Sequence, residues 1–379
     1  MFGSRYKLFK LFGFEVRIDT SWLIIAFLLI FTLARGFFPY YYRGLPGITY
    51  WWMGVVGALG FFGSIIFHEF WHSFVARRYG MPMKGITLFI FGGVAEMEDE
   101  PPNAKTEFLM SIAGPLSSVF LGFAFFGVKM LIPATASLIP ARGIVSYLSY
   151  INLILAAFNM LPAFPLDGGR VFRSAVWGFT DNIRKATKIA SWIGSGFGIT
   201  LMILGILGIF QGNFIGGIWF FAIGMFLKSA AQMSYQQVLL RNVLEGKKVG
   251  YFMNTNPITV PPSISIEQFV EDYFYKFHFK MFPVVEDGHL LGCVTISHVK
   301  DIPRNEWNQH VVKEVVQKCM PNNTVKSSTD SLKALSLMRN TGNNRLMVID
   351  GGTLSGVVTY KDILQYFSAR MDLEDYVKK

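Results

Sequence analysis

The chain has 379 residues, 52% of them hydrophobic and 16% charged, with 37 phenylalanines. That composition is too apolar for an ordinary soluble protein of this length. The formal charge of +10 fits basic loops on one side of a membrane, so no nucleic-acid partner is expected. The apolar excess ends near Ala231, and from Gln232 onward the chain has the mixed pattern of a soluble domain.

In chain order, Phe14 to Asp19 (FEVRID) alternates strictly and predicts a short strand. No small-residue cleavage site follows the first apolar run, Trp22 to Ala34, which therefore reads as a retained span. Stretches near the ~20 residues that cross a bilayer fall at about 20–38, 52–75, 108–132, 143–162, 188–210 and 214–231. Between the second and third, GITLFIFGGVAEMEDE (Gly85 to Glu100) has two β-prone runs around Gly92-Gly93 and predicts a hairpin or re-entrant loop. Such backbone survives at membrane depth only where protein or a cavity satisfies its hydrogen bonds. Six spans put both ends on one side. Arg5, Lys7, Lys10 and Arg17, then Arg77, Arg78 and Lys84, then Arg170, Arg173, Arg184, Lys185 and Lys188 fall there, against little beyond Arg43 and Arg142 opposite. Both termini are therefore expected in the cytoplasm of a prokaryotic-type, multi-pass cell-membrane protein.

Within the second span stands FHEFWHSF. On a helix His68 and His72 share a face with Glu69 beside them, the HExxH arrangement of two zinc ligands and a carboxylate that takes a proton from water at the metal. They are the only histidines before residue 278, which argues against a pair of satisfied core imidazoles. Catalytic zinc takes three protein ligands, and the rest of the membrane half has no cysteine or histidine. The best remaining candidate is Asp167 in NMLPAFPLDGGR, at the cytoplasmic end of the fourth span and so at the depth of His72. Pro162 and Pro165 stop the helix, and Gly168-Gly169 permit close backbone approach. Alone, LDGG is equally a turn signal with a capping aspartate.

HEFWH at 68–72 with NMLPAFPLDGG at 159–169 resembles the site-2 protease family of intramembrane zinc metalloproteases (peptidase family M50), and AGP at 113–115 and GGV at 92–94 suit it. The resemblance implies one Zn2+ per chain on His68, His72 and Asp167, with Glu69 as catalytic base and Asn159 steadying the scissile carbonyl or its oxyanion. It further implies a transmembrane protein substrate, unwound and held by strand addition at the Gly85 to Glu100 hairpin. Trp71 stands where such proteins often carry a small residue, and it is expected to alter the pocket beside the ligands.

Residues 283–296, PVVEDGHLLGCVTI, align without a gap with 347–360, MVIDGGTLSGVVTY. Each copy follows a helix-patterned stretch, Ile266 to Phe279 or Asp330 to Arg339. The repeat resembles tandem cystathionine β-synthase (CBS) modules over about 249–304 and 312–370, which often bind adenine nucleotides. That resemblance implies Thr359 and Asp362 as contacts for ATP, ADP or AMP. In the first copy His298 follows Thr295 by three and Asp301 comes later still, so the motif is not matched there. A purely structural pair that mediates a homodimer is the other reading. Cys293 and Cys319 form no framework and are expected free, in a reducing compartment. His278, His289, His298 and His310 lack ligand spacing.

The expected architecture is a polytopic α-helical membrane domain (residues 1–231, six transmembrane helices with a short β-hairpin or re-entrant segment). A linker (232–248), a soluble α/β tandem CBS domain (249–370) and a tail (371–379) follow. The expected activity is peptide-bond hydrolysis within or next to a transmembrane segment in the lipid bilayer, regulated by the CBS modules. The alternative is a CBS-gated transporter or channel, against which the polar groups gather at one depth.

Overall fold

The computed structural model describes residues 5–81, 83–90, 92–97 and 100–377. It divides into two compact units, Met1–Val238 and Leu239–Lys379.

Among the described residues, six helices are long and apolar enough to cross a membrane, the last of them running on past Val238, the end of the first unit. They are α1 (Trp22–Tyr41), α2 (Gly47–Arg78), α3 (Ala104–Leu131), α4 (Ala136–Asn159), α6 (Ile183–Phe210) and α7 (Phe214–Leu244), with a short α5 (Asp167–Thr180) between the fourth and fifth. Asn103 Oδ1 accepts from Thr106 N–H at 2.8 Å to start α3, and Asn182 Oδ1 accepts from Lys185 N–H at 2.9 Å to start α6, each satisfying an orphan donor of the first turn. At 32 residues, α2 is about 48 Å long. His68 therefore lies about 15 Å from the basic end at Arg77 and Arg78, inside the leaflet on that side. Phe38, Met53, Phe62, Ile65, Leu88, Tyr147 and Leu148 form the core between α1, α2, α4 and the sheet.

That sheet has four strands in the order β1 (Arg5–Leu11), β2 (Phe14–Asp19), β3 (Met83–Phe89) and β4 (Gly92–Met97). β2 runs parallel to β3, and the other pairs are antiparallel. The expected strand at 14–19 is β2; its partner β1 carried no clear alternation. The expected hairpin is β3–β4, although residues 91, 98 and 99 of its stretch lie outside the described residues. The glycines do not make its turn: Gly92 and Gly93 belong to β4. A Cβ on Gly93 would stand 2.9 Å from Ile65 Cγ2 and 3.0 Å from Glu69 Cγ, so glycine lets the strand lie against α2.

α5 carries Arg173, one of the basic residues that the sequence places on one side of the membrane. Its guanidinium is 5% exposed and pairs with Glu107 of α3, which is fully buried. The reason is amphipathicity: Gly169, Arg173 and Ser174 turn inward on one face of α5.

The second unit holds one sheet in the order β5-β6-β9-β8-β7, with β5 (Met281–Glu286), β6 (His289–Thr295), β7 (Thr324–Val325), β8 (Arg345–Asp350) and β9 (Thr353–Thr359). The two hairpins repeat down to their irregularities: Val284 faces Gly292 and Val348 faces Gly356, with a register shift after each valine. The repeated glycines have a reason. A Cβ on Gly292 would strike the carbonyl of Gln317, and one on Gly356 would lie 2.5 Å from that of Asn254. Each copy thus receives a segment from the other, through the bridges Cys293–Gln317 and Asn254–Val357. The cores interlock accordingly. Val249 and Phe252 pack with Leu346, Val348 and Val358, whereas Val312 packs with Val260, Phe282 and Val294. The stretch expected as a linker, 232–248, is helical as far as Leu244, because Leu240 and Leu244 enter the core of the second copy. Cys293 and Cys319 are free.

Candidate metal centre

Three candidate ligand atoms converge in the first unit. His68 Nε2 lies 3.0 Å from Asp167 Oδ2, His72 Nε2 lies 3.1 Å from the same oxygen, and the two Nε2 atoms are 3.1 Å apart. Among the described residues this is the group of His, Cys, Asp or Glu side chains able to hold a metal ion. α2 supplies both imidazoles from one face. Asp167 arrives as the first residue of α5 after the Pro162 and Pro165 interruption. The Gly168-Gly169 pair does what its sequence suggests: a Cβ on either would press into the backbone of Met160 to Phe164.

The outer hydrogen bonds fix which nitrogens face the centre. His72 Nδ1 is 2.7 Å from the Met110 carbonyl oxygen, which can only accept, so Nδ1 carries the hydrogen and Nε2 presents a lone pair. His68 Nδ1 lies 2.9 Å from Ser118 Oγ, a hydroxyl able to accept the Nδ1 hydrogen and so leave Nε2 its lone pair. Two imidazole lone pairs and a carboxylate oxygen thus point at one locus. Their spacing approaches the edge of about 3.3 Å expected of a tetrahedron with zinc–nitrogen bonds of about 2.0–2.1 Å. The donor set N, N, O suits zinc. A second feature fits: a Cβ on Gly114 of α3 would stand 2.6 Å from His68 Nε2 and nearer still to His72 Nε2. Glycine leaves that side of the locus open.

The remaining site residues sit as follows. Glu69, half-buried, leans toward β4, with Oε1 3.3 Å from the position of a Gly93 Cβ. Asn159 is half-buried at the end of α4 and donates Nδ2–H to the Leu155 carbonyl at 3.0 Å. No hydrogen bond joins it to the three ligands among the described residues. Trp71 is 43% exposed and packs edge-on with Phe67 and Phe74. Three positions after His68, it flanks the pair of imidazoles on the other side of α2 from Glu69.

Sequence reasoning missed the shell supplied by α3. Glu107, Ser111, Gly114 and Ser118 recur at helical spacing and are all buried, a polar and small stripe in an otherwise apolar span. That stripe was the available signal. In the soluble unit, Thr359 and Asp362 bond each other: Thr359 N–H donates to Asp362 Oδ2 at 2.9 Å, and Asp362 N–H donates to Thr359 Oγ1 at 3.1 Å. They cap the following helix. In the first copy Thr295 makes no such cap, since His298 replaces the carboxylate.

The model of peptidase family M50 matches residues 56–137 and 134–204, and the CBS domain model matches 249–304 and 312–369. The chain is 33% identical over 368 residues to sll0528 of Synechocystis sp., covering 96% of this chain and 95% of that one. It is 30% identical over 372 residues to zinc metalloprotease MJ0392 of Methanocaldococcus jannaschii, covering 98% of each. Among solved structures, the site-2 protease from Methanocaldococcus jannaschii is similar at 28% identity with a TM-score of 0.44, covering 61% of this chain and 95% of that chain.

Proposed function

We propose, for a chain that belongs to peptidase family M50 and is an intramembrane zinc metalloprotease of the site-2 type, that His68, His72 and Asp167 hold the metal and Glu69 moves the proton. The observation that carries this reading is the convergence of two Nε2 atoms and one carboxylate oxygen within 3.1 Å, with His72 Nδ1 committed to the Met110 carbonyl. Zinc held there supplies Lewis acidity toward a peptide carbonyl and acidifies the attacking water. Glu69 accepts the proton of that water on a carboxylate oxygen and passes it to the leaving amide nitrogen. Asn159 spends one amide hydrogen on Leu155, which leaves its second hydrogen to donate to the scissile carbonyl oxygen.

The substrate is a membrane-bound protein whose segment unwinds and adds to β4. β4 pairs with β3 on one side, lies at the end of the sheet and passes Glu69, so an added strand runs beside the base. Lys7, Lys10, Arg77 and Arg78 support a cytoplasmic placement of both termini and the CBS pair. Purified protein compared with Glu69→Gln tests the assignment. The variant is expected to retain zinc by elemental analysis while cleavage of a tagged membrane substrate falls about 10²–10⁴-fold. Equal rates would reject Glu69 as the base.

The CBS pair regulates this activity through an adenine nucleotide held at the second copy, with Thr359 Oγ1 toward phosphate and Asp362 toward ribose hydroxyls. Calorimetry should use the full chain, because a fragment starting at 246 removes Leu244 from the core. ATP or AMP is expected to give heat with the parent chain and none with Asp362→Ala. No heat from either nucleotide with the parent would leave the pair a structural element.

A further inference from the structure

The sheet of the membrane unit ends on two strands. β4 lies beside Glu69; β1 is the opposite edge of the sheet and is exposed along its whole described length. Its side chains are not those of an edge facing water: Tyr6 is 57% exposed, Leu8 50%, Phe9 43% and Leu11 41%, and the turn residue Phe12 reaches 76%. A contiguous apolar edge of this kind is a hazard in water and needs a partner.

The register tells which partner. Tyr6 stands opposite Ile18, Phe9 opposite Val16 and Leu11 opposite Phe14, and directly opposed residues share a face. That face of β2 is the one packed inward: Val16 and Phe14 are buried. Phe14 meets Phe70 of α2 edge-on at 5.8 Å and lies under the Arg77 guanidinium at 3.8 Å. Tyr6, Phe9 and Leu11 therefore continue the helix-facing side of the sheet past the edge of the helices. On the other face Lys7 stands opposite Arg17 and Lys10 opposite Glu15, and Glu15 pairs with Lys7 and Arg17, each at 2.7 Å. The pleat separates an aromatic side from an ionic side. The hairpin is also fixed in depth. Phe12 packs on Phe70 at 6.2 Å, and its carbonyl accepts from Arg77 Nη2 at 2.8 Å; Phe70 lies between the two histidine ligands on a spanning helix.

We propose that the β1–β2 hairpin is a lipid-docking element of the inner-leaflet interface. Tyr6, Phe9, Leu11 and Phe12 seat among the upper acyl carbons, and the Lys7 and Lys10 side of the strand lies toward phosphate headgroups and water. The interface, unlike hydrocarbon, supplies hydrogen bonds to the free backbone edge of β1. Lipid on β1 leaves β4 as the edge open to an added strand.

The test is site-directed spin labelling of the full chain in phosphatidylethanolamine–phosphatidylglycerol vesicles. Lys7→Cys, Phe9→Cys, Lys10→Cys and Leu11→Cys are made singly in a Cys293→Ser, Cys319→Ser background. Labels at 9 and 11 are expected to favour oxygen over a nickel chelate and to sit about 5–10 Å below the headgroup plane, with the preference reversed at 7 and 10. Chelate access at all four positions would overturn the proposal, as would exclusion of both reagents at 9 and 11, which would mean that a second copy or another protein covers the face. Cys293 is buried, so the parent chain provides an independent reading. A phospholipid with a photoreactive group near its glycerol should label residues between Tyr6 and Phe12. Label confined to the spanning helices would reject docking.

Discussion

Replacing Gly114 with alanine is expected to leave a folded protein that holds no zinc and cleaves nothing. In a helix interior alanine is favoured over glycine by about 1 kcal/mol, so propensity alone predicts a neutral or stabilising change. Geometry predicts the opposite for function. The added carbon would lie 2.6 Å from His68 Nε2 and closer to His72 Nε2, inside the distance that nonbonded carbon and nitrogen tolerate. Neither ring can give way freely: both sit on rigid α2, and both are held from behind, His68 by Ser118 Oγ and His72 by the Met110 carbonyl. The methyl group therefore occupies the side from which the lone pairs are shared. Ser118→Ala is the milder comparison, since it removes only an outer partner and should weaken zinc by about 10–100-fold. Elemental analysis with a thermal melt separates the cases. A Gly114→Ala protein with parental zinc content would show that the three side chains do not form the metal cradle.

How much of this was legible in the sequence varies with the distance over which each signal acts. The spanning helices and β2 announce themselves through composition and local period, and the six expected spans overlap the six helices. His68, Glu69 and His72 are four-residue neighbours on one helix, so their convergence is a property of helical geometry. Asp167 lies almost a hundred residues away, and only matching depth links it to them. What escaped reading depends on tertiary packing. β1 has aromatic and basic residues without clean alternation, because a register shift interrupts it between Lys7 and Phe9. The Met110 carbonyl is a backbone group with no residue-type signature. In the soluble unit the repeat was plain, yet the exchange of segments between copies was not, since the repeated glycines record only that something comes close.

The largest expected change in stability comes from Arg173→Met. Glu107 of α3 and Arg173 of α5 are buried together, and the guanidinium also donates to Thr187 Oγ1 of α6 at 3.4 Å and lies 5.1 Å from the Phe164 ring centre. One side chain thus ties three helices. Removing it leaves the Glu107 carboxylate in the interior, where its second oxygen Oε2 already has no hydrogen-bond partner. Breaking one half of such a pair costs about 3–5 kcal/mol, whereas replacing both halves with apolar residues of similar volume is often neutral or stabilising. The zinc affinity of the double variant, measured beside its stability, therefore separates two roles for the pair. If it serves only as packing, Glu107→Leu combined with Arg173→Met recovers the parental unfolding midpoint in a denaturant titration of the detergent-solubilised protein. Asp167 begins the helix that carries Arg173 six residues later, so fixing α5 also fixes a proposed zinc ligand. The double variant is then expected to regain stability while binding zinc more weakly than the parent, because an apolar contact lacks the directional fork of guanidinium and carboxylate. Recovery of both stability and zinc affinity would reduce the pair to packing, and no loss in the single variant would mean that Arg173 is not buried in the membrane-embedded protein.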